Sequence, residues 1–179
     1  LGVERSLTGR RWRTRDADLA TVEAFRRKFG LPEIAARLMA ARGVPLDSAQ
    51  TFLEPTLKAL FPDPSSFSDM DLAASLIEDA IVTGKPAAVL ADYDVDGGSS
   101  GAQLVRYFRA RGRDLKIYVP DRMKEGYGPS DLAFERLKAD GVELVITVDC
   151  GAAAEGPLNR AAELGLDVIV LDHHLMAGA

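Results

Sequence analysis

The chain has 179 residues, of which 47% are hydrophobic, and a formal net charge of −5. Such a chain can bury the core of one domain and carry an appendage. It contains no apolar run near the roughly 18 residues that span a bilayer and no apolar signal-peptide core, so we expect no membrane association and a cytoplasmic location.

Basic residues are concentrated at the N-terminus. Residues 1–30 hold eight Arg or Lys against four Asp or Glu, a net charge of +4, so the remaining residues carry −9. The stretch RRWRTR within this arm has two interpretations, a contact to phosphates or a solvated terminus. The acidic body argues against sequence-independent binding of duplex DNA by this chain alone.

Residues 1–67 are predicted to form this basic arm and a small helical region. A helix opens at Pro32, and its apolar face holds Ile34, Leu38 and Ala41. Another helix is predicted after Asp47. The proline-rich stretch FPDPSSF then predicts an irregular connector before the main domain.

Residues 68–179 are predicted to form the main domain, which opens with a helix. Ser68 is the predicted N-cap of this helix and Gly84 ends it. Its apolar face would be formed by Leu72, Leu76, Ile77 and Ala80.

After Gly84 short apolar strands alternate with amphipathic helices. Strands are predicted at 86–91, 115–119, 143–148 and 167–171, and helices at 100–110, 129–137 and 157–164. This alternation predicts an α/β fold, a parallel sheet covered by helices on both faces. Right-handed crossovers would bring the carboxyl ends of all strands to one edge, where ligands of open sheets bind.

The first strand runs directly into three acids at alternate positions. Asp92, Asp94 and Asp96 repel one another, so holding them together calls for a positive partner such as a divalent metal; an ordinary solvated acidic turn is the alternative. The glycine pair at 97–98 predicts a tight turn into the next helix. Ser99 and Ser100 are its predicted caps, with its N-terminal amides free for an anion.

The other strand ends are polar as well. Asp149 follows the third strand, and Asp172 with the adjacent pair His173 and His174 follows the fourth. Carboxylates with imidazole suit Mn²⁺ or Mg²⁺ better than zinc. The single Cys150 has no nearby base in sequence, and we assign it to packing rather than to nucleophilic catalysis.

The motifs DYDVDG, VDCG and DHH, in this order and spacing, resemble motifs I to III of the DHH phosphoesterase family. The segment YVPDRMKEGYGPS resembles the single-strand-specific 5′→3′ exonucleases of that family in particular. Leu90 stands where family pyrophosphatases carry a metal-binding histidine, which favours a nuclease.

The resemblance implies a role for each motif residue. The implied catalytic residues are Asp172, which would orient His173, together with His173 itself and His174, which would face the scissile phosphate. The implied metal ligands are Asp94, Asp96, Asp149 and His173, with Asp92 as an additional or supporting acid. Arg122 and Tyr127 would lie beside the substrate, together with Ser99 and Ser100.

The implied activity is metal-dependent hydrolysis of single-stranded DNA from its 5′ end, releasing 5′-mononucleotides in DNA repair and recombination. One or two Mn²⁺ or Mg²⁺ ions would activate water without a protein nucleophile. The implied partners are single-stranded DNA, a single-strand-binding protein and a helicase, and the expected state is a monomer.

Two other functions are alternatives to the exonuclease. One is an oligoribonuclease or cyclic-dinucleotide phosphodiesterase of the same family. The other, a magnesium-binding phospho-receiver module, fits less well because it has no use for a His pair.

The chain stops five residues after His174. From the resemblance, we expect a fourth metal-binding Asp, the DHHA1 domain and an oligonucleotide-binding fold to lie beyond it. The chain is therefore expected to be an N-terminal fragment with weak or no nuclease activity on its own.

Overall fold

The computed structural model describes residues 3–175, which form two compact units, one ending at Pro64 and one beginning at Ser65. The first unit contains helices α1 (Leu19–Phe29), α2 (Glu33–Ala41), α3 (Ala49–Leu53) and α4 (Leu57–Leu60). The second contains α5 (Met70–Thr83), β1 (Ala87–Ala91), α6 (Val95–Ala110), β2 (Lys116–Tyr118), α7 (Asp131–Ala139), β3 (Leu144–Val148), α8 (Glu155–Glu163) and β4 (Asp167–Leu171). Across residues 3–175, no helix has the length and apolar character needed to cross a membrane.

The core of the first unit lies between α1 and α2. Phe25 of α1 packs with Ala36 and Met39 of α2, and all three are buried. The predicted apolar face of α2 is wrong in part, because Ile34 and Leu38 are exposed. The short side chain of Ala36 explains the difference, since a small residue lets two helices approach closely.

The second unit is a four-stranded parallel sheet in the order β2-β1-β3-β4. Val89 of β1 pairs with Ile146 of β3, and Ile146 pairs with Ile169 of β4. These residues pack on one face with Phe108 of α6. The opposite face packs against α7 and α8, through Leu90, Val145, Phe134, Leu137 and Ala161. The predicted α/β fold, a parallel sheet with helices on both faces, is confirmed.

The start of α6 differs most from the prediction. Helix α6 begins at Val95, five residues early, because Asp94 is its N-cap and accepts hydrogen bonds from the amides of Asp96 and Gly97. Ser99 and Ser100 therefore lie inside the helix and do not cap it. The glycines at 97 and 98 are also helical rather than part of a turn.

Helix α5 also differs at its start and on its surface. Its N-cap is Asp69, in the left-handed region with φ of 56°, rather than Ser68. Ala80 and Ile81 are buried, whereas Leu72 and Leu76 are exposed and line an open cavity. Only the C-terminal part of this helix is therefore deeply packed in the core of its unit.

Candidate active site

The carboxyl ends of the strands bring the predicted polar residues to one edge of the sheet. Asp92 follows β1, Asp149 follows β3, and Asp172 follows β4. The loop after β2 carries Arg122 and Tyr127 to the same edge. The sheet topology thus gathers residues that are up to 80 positions apart in sequence.

Two groups of side chains have the spacing of a metal site. Asp92, Asp94 and Asp149 form one group, and Asp149, His173 and His174 form the other. Within each group the potential ligand atoms all lie within 4.8 Å of one another. Asp149 belongs to both, so it could bridge two ions or serve one ion from either side.

Asp96 is placed differently from the other acids of its motif. It stands in the first turn of α6, exposed to solvent and outside both groups. It lines the same open cavity as Asp149 and His173. The structure therefore puts Asp96 on the wall of the site rather than at its centre.

Asp92 is the most deeply buried acid of this edge, with 3% of its surface exposed. Its Oδ1 atom is buried and has no hydrogen-bond partner among residues 3–175. A buried carboxylate oxygen without a partner is costly, and a cation beside it would remove the cost. The donor set thus fits a hard divalent ion, with all-oxygen ligands on one side and imidazole on the other.

Asp94 has a structural role besides its place in the first group. Its Oδ1 accepts the amide of Asp96 at 2.9 Å and that of Gly97 at 3.1 Å. The bond from Gly97 is the main reason why the pKa of Asp94 lies below its usual value. The carboxylate is therefore held ionised beside the carboxyl group of Asp149.

Asp149 is buried and has an unusual backbone conformation. Its φ of 60° is left-handed, and its amide donates to the carbonyl of Leu171. Burial, and next the neighbouring carboxylate of Asp94, raise the pKa of Asp149. Its Oδ1 lies 3.0 Å from Nε2 of His173. A divalent ion would offset the repulsion between the two acids.

Asp172 holds the backbone of the DHH motif together with one imidazole. Its carboxylate accepts the amides of Ala152, His173 and His174, and it lies 2.7 Å from Nδ1 of His174. Burial raises its pKa, but these hydrogen bonds outweigh that effect and the pKa of Asp172 is lowered. Asp172 thus contacts the backbone of His173 and the ring of His174, and its predicted role in orienting His173 stays a prediction.

These contacts determine which nitrogen of His174 carries a proton. The carboxylate of Asp172 only accepts, and the hydroxyl of Tyr127 donates to the carbonyl of Asp149 at 3.0 Å. Nδ1 of His174 is therefore the donor to Asp172 and to Tyr127, whose hydroxyl oxygen is 3.2 Å away. The bond to Asp172 raises the pKa of His174.

The segment after β2 contributes the two predicted substrate residues in different ways. Tyr127 contacts the centre directly, with its ring edge against His174, and burial followed by the charge of Asp172 raises its pKa to about 12. The guanidinium of Arg122 instead lies over the ring of Tyr93, 5.4 Å from its centroid. Arg122 is exposed there, so its donors remain open to an anion.

The serines of α6 lie beside the centre without touching it. The hydroxyl of Ser99 donates to the carbonyl of Asp96, while Ser100 lines the open cavity of about 900 Å³ next to Asp149 and His173. Apolar residues of α5 and β4 complete this cavity. Ser100 is thus the better placed of the two to meet a ligand.

Cys150 is confirmed as a packing residue. It is completely buried in the core that faces α7 and α8. Burial raises the pKa of its thiol to about 12, so the reactive thiolate is scarce at neutral pH.

Sequence reasoning underrated two members of the ligand groups. Asp92 was predicted only as an additional or supporting acid, although it follows an unbroken apolar run and so becomes the most buried acid of its motif. His174 was assigned to the phosphate alone, although it belongs to the second group. The apolar run points to the burial of Asp92, whereas the position of His174 follows from a turn that the sequence does not specify.

Comparison with protein families identifies the family of this domain. The model described as "DHH family, N-terminal domain" matches residues 86–179, which is more than half of the chain and includes all three motifs.

Comparison with characterised proteins gives relatives with the same name. The chain is 38% identical over 165 residues to "Single-stranded-DNA-specific exonuclease RecJ" of Bacillus subtilis (strain 168), covering 92% of this chain and 21% of the relative. It is 37% identical over 167 residues to the protein of that name from Salmonella typhimurium, covering 93% of this chain and 28% of the relative. The chain thus spans about a quarter of the length of these relatives.

Two crystal structures resemble the fold. One is exonuclease RecJ bound to manganese, with a TM-score of 0.54 and 41% identity over 60% of this chain and 28% of that chain. The other is RecJ in complex with Mn²⁺ from Thermus thermophilus, with a TM-score of 0.59 and 29% identity over 90% of this chain and 22% of that chain. Both were solved with manganese.

Proposed function

This chain belongs to the DHH family, and from that premise we propose that it forms the metal-binding wall of an exonuclease that degrades single-stranded DNA from its 5′ end. The names of its relatives and the motifs at the strand ends support this proposal. Removal of 5′-mononucleotides in DNA repair is the corresponding cellular role. We also predict that the protein is a monomer and that its partners are a single-strand-binding protein and a helicase.

The observation that carries the proposal is the unpartnered, buried oxygen of Asp92 beside Asp94 and Asp149. No hydrogen bond within the described part of the chain satisfies it, and a divalent ion would. Mn²⁺ is the first candidate because two similar structures contain it, and Mg²⁺ is the second. The two groups that share Asp149 have room for one or two ions.

The proposed ligands are Asp92, Asp94, Asp149 and His173, with Asp96 joining from the cavity wall. When bound, a divalent ion lowers the pKa of a coordinated water and neutralises charge on the phosphate. Asp172 holds the ring of His174 through Nδ1, which leaves Nε2 to meet a phosphate oxygen or a metal in the second group. Ser100 of the cavity wall and the exposed Arg122 offer further donors to a phosphate.

We further propose that this chain alone hydrolyses DNA slowly. It supplies one edge of a site, and that edge is strongly acidic, so a phosphate without other contacts is repelled more than positioned. The chain covers only 21% of the Bacillus subtilis relative. Joining it to the remaining sequence of that relative should raise the rate by orders of magnitude.

Metal binding is the first test. Calorimetric titration with Mn²⁺ should give saturable binding by the chain, and Asp149→Asn should abolish it because both groups lose a charge. Asp114→Asn is the matched control, since Asp114 is exposed and lies outside both groups. Unchanged Mn²⁺ affinity in Asp149→Asn would show that the proposed cluster is wrong.

Substrate and polarity are the second test, made on the joined protein with Mn²⁺. Single strands labelled at the 5′ end should release the label at once as a mononucleotide, while 3′-labelled strands shorten gradually and blunt duplexes persist. Activity restricted to dinucleotides and trinucleotides would favour the oligoribonuclease instead. Label release first from the 3′ end would refute the proposed polarity.

A further inference from the structure

We propose that residues 3–15, here called the N-terminal hairpin, are a second contact for single-stranded nucleic acid, remote in sequence from the metal centre. This inference rests on the proposed function, because it takes the substrate class from there. It assigns base stacking to Trp12 and phosphate binding to the arginines around it.

Residues 3–12 of the hairpin are held together by their own hydrogen bonds. The amide of Trp12 donates to the carbonyl of Val3 at 2.9 Å, and the amide of Ser6 donates to the carbonyl of Arg10 at 2.8 Å. The Ser6 hydroxyl accepts the amide of Arg10 and closes the turn, in which Gly9 is left-handed with φ of 73°. A contact surface that is already ordered loses less conformational entropy on binding than a solvated tail.

The hairpin is strongly basic in an acidic protein. It holds five Arg and one Glu, a net charge of +4, whereas the chain as a whole carries −5. Arg11 pairs with Glu4 at 3.1 Å. The other four arginines, Arg5, Arg10, Arg13 and Arg15, are exposed and have no acidic partner among residues 3–175.

Several arginines of the second unit, by contrast, have acidic partners. Arg111 there pairs with Glu78, and Arg160 pairs with Glu135 and Glu163. Those arginines join helices, whereas the four hairpin arginines named above have no ion pair within residues 3–175. Their donors are free for an external anion, and phosphate oxygens match the guanidinium geometry.

Trp12 supplies the aromatic part of the surface. It is 56% exposed and lies beside an open depression formed with Val3, Leu7 and Thr8. Nucleobases stack on exposed aromatic rings without regard to sequence, and flanking arginines follow the backbone of the strand. Duplex DNA hides its base faces, so this combination favours a single strand.

The sequence offers a direct probe, because Trp12 is the only tryptophan of the chain. Its fluorescence therefore reports on the hairpin alone. We would titrate the chain with oligothymidylate in EDTA, which removes any contribution of metal. Saturable quenching is expected. If four arginines contact phosphates, a plot of the logarithm of the association constant against the logarithm of the salt concentration has a slope of about −2.8. The affinity then falls about fiftyfold between about 50 and 200 mM salt.

Substitutions separate stacking from charge, with fluorescence anisotropy of a labelled oligonucleotide as the readout. Trp12→Leu should weaken binding roughly tenfold or more. The double variant Arg13→Gln, Arg15→Gln should reduce the slope to about −1.4. Arg42→Gln is the control, since Arg42 is an exposed, unpaired arginine of the same unit outside the hairpin.

The outcomes decide between this inference and the proposed function. No quenching, or equal affinity in Trp12→Leu and the parent, would overturn the hairpin contact even if the joined protein degrades DNA. Tighter binding to duplex DNA or to anionic vesicles than to the single strand would also overturn it. Quenching without any metal-dependent hydrolysis would refute the proposed function while leaving the hairpin as a nucleic-acid contact.

Discussion

Replacing Gly97 by alanine tests how closely α6 approaches the end of β1. A Cβ at this position would lie 2.4 Å from the carbonyl oxygen of Asp92 and 2.7 Å from its amide nitrogen. Gly98, the next residue of the same helical turn, would meet nothing within 4 Å. Gly98→Ala is therefore a matched control, with the same chemical change but no clash.

The magnitude follows from the distances. Cβ contacts below 3.0 Å are essentially never seen, so Asp92 and α6 must separate by about 0.6 Å. Overpacking of this kind costs about 1–3 kcal/mol of folding free energy. Alanine in place of glycine in a helix returns about 0.5–1 kcal/mol in either variant. The two variants should therefore differ by about 1–3 kcal/mol, with Gly98→Ala above the parent.

The displacement should affect metal binding as well as stability. Sites need their groups within about 0.5 Å of the working geometry, and the shift would separate Asp94 from Asp92 by about that much. We would measure urea unfolding without metal and Mn²⁺ binding by calorimetry. Equal stability of the two alanine variants, together with equal Mn²⁺ affinity, would refute the close approach of α6 to Asp92.

Single substitutions around His174 and at one helix cap test other contacts. Asp172→Asn should lower the pKa of His174, because the hydrogen bond to Asp172 raises that pKa. NMR titration in EDTA measures the pKa, and an unchanged value would contradict the contact. Tyr127→Phe should weaken Mn²⁺ binding because the carbonyl of Asp149 loses its donor, whereas Tyr107→Phe, whose hydroxyl contacts Glu78 and Arg111, should not. Ser130→Ala should reduce the unfolding free energy by about 1 kcal/mol, since the Ser130 hydroxyl caps α7; a change near zero in urea unfolding would contradict that.

The sheet could be predicted from sequence because its strands are short apolar runs that end in acids. The four strands appear within one or two residues of their predicted bounds. The start of α6 could not be predicted in the same way. The sequence GGSS is typical of a turn, but the Asp94 side chain caps the helix first, and Gly97 is needed for the approach to Asp92 rather than for a bend.

Side-chain roles at the site were harder to predict than the elements that carry them. Asp172 precedes both histidines, and the sequence offers no reason why its carboxylate should contact the ring of His174 rather than that of His173. The buried faces of helices raised a similar difficulty. Leucine is the more hydrophobic residue, yet Leu38 and Leu72 are exposed while Ala36 and Ala80 are buried, because close packing selects by size as well as by hydrophobicity.

Position 149, at the centre of the site, requires both a left-handed backbone conformation and a negative charge for the proposed metal. Its left-handed φ of 60° is uncommon outside glycine, and aspartate and asparagine tolerate it best. The bonds of its amide to Leu171 and of its carbonyl to Tyr127 fix that conformation from both sides. The fixed backbone then directs one carboxylate into both ligand groups. Asparagine would keep the backbone but lose the charge, and glutamate would keep the charge but strain the backbone, which leaves aspartate as the residue that meets both requirements.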